Sequence, residues 1–361
     1  DTTRSTTMPT PTLHEALTPR DLEILRDVVR SFILTGVPVS SRAVSKHSGM
    51  GLSAATIRNT MADLEEAGYL SQPHTSAGRV PTEFGYHSYI ESLSPAPRIS
   101  PEDKLRIDEH FPFGGESEEL VGRASQLLAE LTQQIGMIMV PAIGDTILKT
   151  LTLVPLSGAR VLCVIVSSSG FVDSKMIELD SPASPEDLVA ASNYVTTHFA
   201  GMTLRQARDH LLALMAEERA QVDRWLATTL AVAQRALDDV HGADVLVEGT
   251  SGVLTQPELA DVRRVRRLVE KFNDRAQLVQ VLNRLISGGR GVRVVIGEES
   301  ELTSDVDFSL VATTYGTEEQ ELGKVGVFGP SRMNYRRVIP LVEYLGERLS
   351  QALQSTASGL R

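Results

Sequence analysis

"LSAATIRNTMADLEEAGYLSQPHTSAGRVPTEFGY", Leu52 to Tyr86, is the stretch whose reading decides the fold. Ser53 stands where a helix N-cap is wanted, and Ile57, Met61 and Leu64 follow at helical spacing until Gly68 stops the helix. Tyr69 and Leu70 then open a strand. The small polar residues His74 to Gly78 make a tip, and Arg79 and Val80 begin the return. Thr82 caps a further helix reaching about Leu93. Upstream, Thr18-Pro19-Arg20-Asp21 is a helix start, with Leu22, Leu25, Val29 and Phe32 in period before Gly36 and Pro38 end it. A short helix from about Ser40 to His47 and the turn "SGMGL" complete the set. Three helices, a hairpin and a trailing helix over residues 17–93 predict a winged helix-turn-helix.

The charge pattern of that region points to its chemistry. The chain of 361 residues carries 35 Lys and Arg against 46 Asp and Glu, a net charge of −11, so it is no generic nucleic-acid coat. Yet no acidic residue lies between Asp27 and Asp63, while Arg30, Arg42, Lys46 and Arg58 do. With Ile57, Met61 and Leu64 turned inward, Ala55, Thr56, Asn59 and Ala62 face outward and Arg58 flanks them. Small residues admit the helix to a major groove, Asn reads adenine and Arg reads guanine. The expected DNA contacts are Arg42, Lys46, Ser53, Ala55, Thr56, Arg58 and Asn59 on the helices. In the wing they are His74, Thr75, Ser76 and Arg79, placed to meet phosphates or the minor groove. The plainer alternatives are a chance gap in a solvated face and a hairpin tip that is polar only because tips are.

The other motifs exclude more than they offer. Eight histidines show no metal-ligand spacing, "HEAL" at His14 lacks the second histidine of a zincin, and "SGGRGVRVV" is a lone Gly-rich turn, not a phosphate loop. No enzyme, cofactor or metal site is expected. Arg332, Arg336 and Arg337 near the last helix read as a solvated helix face in preference to an anion site. Cys163, alone inside "RVLCVIV", reads as a core residue, which suits a reducing cytoplasm. The longest apolar runs fall short of the roughly 18 residues of a membrane span. The polar residues 1–16 read as a disordered leader.

The remainder predicts a multidomain α+β chain. "SPAPRISP" marks a linker over 94–118. A helix through Leu120, Leu127 and Leu131 follows, then the strand-like runs "GMIMVPAI", "LKTLTLVPL" and "ARVLCVIVSSSGFV". From Ser184 the character turns helical, and Met202 to His241 holds neither Gly nor Pro. Strands resume at "ADVLVEG", "VRVVIGEES", "FSLVATTYG" and "GKVGVFGP", with a helix around Leu268–Ile286 and a last helix through Leu349. The expected division is a strand-rich domain in two parts, 119–180 and 254–353, interrupted by a mainly helical insertion at 181–253 and followed by a tail at 354–361.

"LSAATIRNTMADLEEAGYLSQPHTSAGRVPTEFGY", with "GVFGPSRMNYRRVI" at Gly326–Ile339 and the shorter "PVSSRAV" and "IGEES", closely resembles the HrcA heat-inducible transcription repressors of bacteria over about Leu17 to Leu353. The resemblance implies a winged-helix domain, a GAF-like domain and a dimerising domain inserted into the latter. It also implies a homodimer that represses chaperone genes at an inverted repeat of double-stranded DNA, the CIRCE element, its activity maintained by the GroE chaperonin. His87 stands where the family pattern has an arginine. Two rivals remain: a winged-helix regulator sensing a small molecule in a GAF-like pocket, and a structural dimer module with a vestigial winged helix.

Overall fold

The computed structural model describes residues 17–75, 77–93, 97–111, 117–179, 182–217, 243–253, 256, 262–286, 291–299, 303, 307–317 and 320–359. It divides into two units, Asp1–Pro97 with Pro330–Arg336, and Arg98–Gly329 with Arg337–Arg361. The leader 1–16 and Ser76 lie outside the described residues, as do residues 218–242, with Trp225, where the sequence leads one to expect helix.

In the first unit every helix begins on a side-chain cap. Thr18 accepts from the Asp21 amide to start α1 (Pro19–Thr35), which Gly36 ends in the left-handed conformation at φ 66°. Ser40 starts α2 (Ser41–His47), Ser53 starts α3 (Ala54–Glu66), and Thr82 starts α4 (Glu83–Glu91) after the hairpin. The hairpin strands β1 (Leu70–Ser71) and β2 (Val80–Pro81) pair antiparallel. Ile24, Leu25, Val28 and Val29 of α1 form the core with Ile57, Met61 and Leu64 of α3. Burial of α1 thus centres on Ile24 and Val28 as well as the expected Leu25 and Val29, while Leu22 and Phe32 are half-buried.

A third backbone joins the hairpin. Val39 and Arg79 exchange two hydrogen bonds of 2.8 Å, so the segment after α1 lies along the returning strand. This close approach explains Gly78, where a Cβ would overlap the Val39 carbonyl, and Gly85, where one would overlap the carbonyl of Tyr69. Neither neighbour is a flexible side-chain end. The loop Pro330–Arg336 belongs to this unit, with the buried Tyr335 ring 6.0 Å from Tyr86.

The described residues of the second unit form two separate sheets. The five-stranded one runs β7 (Asp244–Glu248), β3 (Ile135–Val140), β10 (Glu321–Pro330), β9 (Phe308–Gly316) and β8 (Arg293–Ile296). One core packs it on α10 (Val262–Asn273) and α11 (Arg275–Leu285), through Phe272, Leu278, Leu282, Phe308 and Phe328. The helix α6 (Ser117–Thr132) also lies on β3 and β7. The three-stranded sheet β4 (Leu148–Pro155), β5 (Arg160–Ser167) and β6 (Val172–Glu178) packs Leu151, Cys163 and Ile165 against α7 (Pro185–Phe199) and α8 (Leu204–Glu217). A short turn, α9 (Thr250–Val253), follows β7, and α12 (Tyr335–Gly359) is the last helix.

Four sequence expectations change here. The neighbours β3 and β7 pair from Gly136↔Glu248 to Val140↔Asp244, so the described residues between them leave the five-stranded sheet. The excursion therefore begins after Val140 and takes β4, β5 and β6 with it, not at Ser181. The run "ARVLCVIVSSSGFV" breaks at the Ser168–Phe171 turn, and β6 follows as a strand of its own. The expected helix around Leu268–Ile286 is two helices, parted where Asp274 caps α11. Finally, the expected linker 94–118 contains α5 (Pro101–His110), capped by Ser100 and burying Ile107.

Within the second unit α5 is bound to α12 by polar groups. Arg337 donates to both carboxylate oxygens of Asp103 at 2.9 and 3.2 Å, while Tyr344 and Arg348 each reach Asp108 at 2.7 Å. The Arg337 guanidinium holds the Asp103 carboxyl below the usual carboxylate range. Arg337 is thus the ion-pair partner of a buried carboxylate, a role the solvated-face reading does not include.

Candidate nucleic-acid interface

The helices α2 and α3 and the turn between them present one surface without a carboxylate until Asp63. Arg42 and Lys46 on α2 are exposed, as are Ala55, Arg58, Asn59 and Ala62 on α3. The opposite side of α3 is sealed by Ile57, Thr60, Met61 and Leu64. Spacing alone produces this division, since residues three and four apart share a face.

The start of α3 is more constrained than its sequence suggests. Ser53 Oγ accepts from the Thr56 amide at 3.1 Å and lies 2.9 Å from Thr56 Oγ1. Thr56 is half-buried, in contrast with its expected outward placement, because its hydroxyl is drawn back to the cap. Ser53 remains exposed, with its oxygen committed to the helix start. His47, not among the expected contacts, sits exposed beside Lys46 with its Nδ1 2.9 Å from the Ala43 carbonyl. That hydrogen bond orients the ring, and only the position of His47 in the acid-free window signals it in sequence.

The hairpin separates the wing residues into two groups. His74 and Thr75 are exposed at the tip, and Ser76 lies outside the described residues. Gln72 shapes the tip, its Nε2 donating to the carbonyls of Thr75 at 3.1 Å and Ala77 at 2.9 Å. Sequence reasoning passed over Gln72, a polar residue like its neighbours until the turn closes around it. Arg79 is not at the tip. It is half-buried at the base, with Nη2 2.8 Å from Glu65 at the end of α3. This ion pair and the bond to Val39 make Arg79 the tie between hairpin, α3 and the segment after α1.

Among the described residues no group of histidine, cysteine and carboxylate side chains is arranged to hold a metal, and no helix is long and apolar enough to cross a membrane. Cys163 is buried in the three-stranded sheet, and burial pushes its thiol up to about 12.

Comparison with known proteins defines the class. Residues 118–339 match the family described as HrcA protein C terminal domain. A Geobacter sulfurreducens protein named heat-inducible transcription repressor HrcA is 38% identical over 336 residues, 93% of this chain and 98% of the relative. The protein of the same name from Syntrophobacter fumaroxidans is 35% identical over 340 residues, covering 94% and 98%. A crystal structure described as that of a hypothetical protein, 27% identical, superposes with a TM-score of 0.60 over 94% of this chain and 98% of its own. These matches place the molecule among transcription repressors, not enzymes. The chain belongs to the HrcA family.

Proposed function

We propose that residues 17–93 are a winged helix that binds double-stranded DNA, with α3 in the major groove and the hairpin as wing. The observation that carries this is the exposed, carboxylate-free face bearing Arg42, Lys46, Ala55, Arg58 and Asn59 on capped helices. On this reading Arg58 and Asn59 meet base edges, while Lys46, Arg42 and the wing tip meet phosphates. The target is an inverted repeat of the CIRCE type before heat-shock chaperone genes. A gel shift comparing such a promoter fragment with one whose repeat is scrambled tests it. Equal affinity for both would overturn operator recognition.

An inverted repeat calls for a two-fold pair of reading heads, and the outer face of the three-stranded sheet is suited to hold one. Across it run the rows Val154–Leu162–Met176, Thr152–Val164–Ser174 and Thr150–Val166–Val172, none containing a charge, with the opposite charges of Arg160 and Glu178 paired at the end of the face. The inner face of this sheet already packs on α7 and α8, and Met176 is 65% exposed on the outer one. We infer that this excursion from the five-stranded sheet is a dimerising domain inserted into a GAF-like one, and that a second copy covers the face.

The GroE chaperonin fits as the partner that keeps the repressor active. The strand β3 pairs with β7 and β10, partners brought from more than a hundred positions away, and such closures are slow and leave apolar strands exposed. Heat-damaged clients that occupy the chaperonin would then lower the pool of active repressor. Operator binding after a brief heat step, with and without chaperonin and ATP, tests this. Complete spontaneous recovery, indifferent to chaperonin, would overturn it.

A further inference from the structure

The two sheets of the second unit do not meet flush. Where β3 runs out into the excursion, a cavity of about 320 Å³ lies between them, within the range of small-molecule sites. Its wall is apolar: Val121 from α6, Val140 and Leu246 from the five-stranded sheet, Ile165 and Phe171 from the other side. The Ser167 hydroxyl is occupied, since it donates to the Phe171 carbonyl and accepts from the Phe171 amide, fixing the turn that carries the ring.

Among the described residues one charged side chain lines this wall, Asp173 on β6, opposite Ile165 in the strand register. No hydrogen bond or ion pair holds its carboxylate among the described residues. Lys175, two positions on, lies opposite Cys163 outside the wall and makes no ion pair with Asp173. An unpaired, half-buried carboxylate beside an apolar hollow favours a ligand that brings its own cation. Ring-sized apolar volume with one anionic corner specifies the rest.

We propose that this cavity binds a small aromatic amine, its ring between Val140, Ile165, Phe171 and Leu246 and its ammonium on Asp173. The ligand bridges both sheets, so it stabilises the second unit as well as filling it. The site is independent of the DNA-binding surface, and its failure would leave operator recognition standing.

Tryptamine titrated calorimetrically into the full chain is the test, with indole-3-propionate as the matched acid. Tryptamine is expected to bind and to raise the melting temperature, with the acid weaker by about tenfold or more. Asp173→Asn should weaken tryptamine by a similar factor while leaving the acid no worse. Leu246→Trp should abolish binding by filling the mouth, and because Leu246 is 36% exposed the bulkier ring leaves the core intact. No tryptamine binding up to millimolar concentration, equal binding of the acid, or undiminished binding by the well-folded Leu246→Trp variant would each overturn the proposal.

Discussion

The two units build their cores by opposite routes. In the first, apart from the loop Pro330–Arg336, packing partners come from the one stretch 17–93: α1, α2 and α3 contact one another, and the hairpin folds back on the helix before it. In the second, β3 finds its partners across two long detours, and α5 finds its own on α12, more than two hundred positions on. Local contact makes a structure legible and quick to form, whereas distant contact leaves the sheet order unwritten in any short stretch.

That contrast breaks first at the glycines. In the second unit Gly136 faces the Ser125 carbonyl so closely that a Cβ would overlap it, and α6 and β3 must both shift. Gly136→Ala is expected to cost about 3 kcal/mol in denaturant unfolding. Gly78→Ala in the first unit should abolish operator binding by unseating the hairpin from Val39, while the melt of the second unit is unchanged. If that variant still binds the operator, the hairpin takes no part in recognition.

Next in size is the dimer. Two reading heads on one repeat gain effective concentration, so Val164→Lys with Met176→Lys should yield monomers by light scattering and about 100-fold weaker operator binding. A variant that stays dimeric would move the interface off this sheet.

Smaller effects should separate the roles within the interface. Asn59→Ala or Arg58→Ala is expected to cost about 1–3 kcal/mol on the operator and little on random DNA. Lys46→Ala should weaken both DNAs and flatten the salt dependence. Arg79 belongs to neither set while Glu65 holds it, and Arg79→Ala should act by loosening the hairpin. Equal losses on both DNAs for Arg58, Asn59 and Lys46 variants would remove the division between base and phosphate contacts.

What the sequence concealed follows from the same contrast. The caps Thr18, Ser40, Ser53 and Thr82 act within three residues, so the elements of the first unit are readable one by one. Thr56 defeats the helical wheel because a wheel has no term for a hydroxyl turning back to its cap. The edge strand β6 shows no apolar run, since Asp173, Ser174, Lys175 and Glu178 interrupt it. In α5 only Asp103 and Ile107 are buried, and the groups that hold it come from α12. The pairing of β3 with β7, which sets the true start of the excursion, is a relation between two strands that neither one displays.

Acid should expose the distant ties of α5. Arg337 depresses the Asp103 carboxyl, so this pair contributes its full stability above the ordinary carboxylate value and loses it as pH falls through the lower folded one. Asp103→Asn should cost about 1 kcal/mol at neutral pH. That difference from the parent should shrink below about pH 4. A difference that persists unchanged into strong acid would mean the carboxylate's charge is not what binds α5.

The smallest expected effect is a reaction that does not occur. The chain has one cysteine, Cys163, on the central strand of the three-stranded sheet, and burial raises its thiol to about 12. The nearby Lys175 lowers it and Asp173 raises it, both less than burial does. At pH 8 almost none of it is thiolate, and the thiol is covered by α7 and α8. A thiol reagent should therefore label the folded chain only as fast as this sheet opens. The label then reports on the second unit alone: Gly78→Ala should leave its rate unchanged although operator binding is gone, and Gly136→Ala should raise it. Equal acceleration by both variants would show that the two units unfold as one, and that the difference in how they are built does not extend to how they come apart.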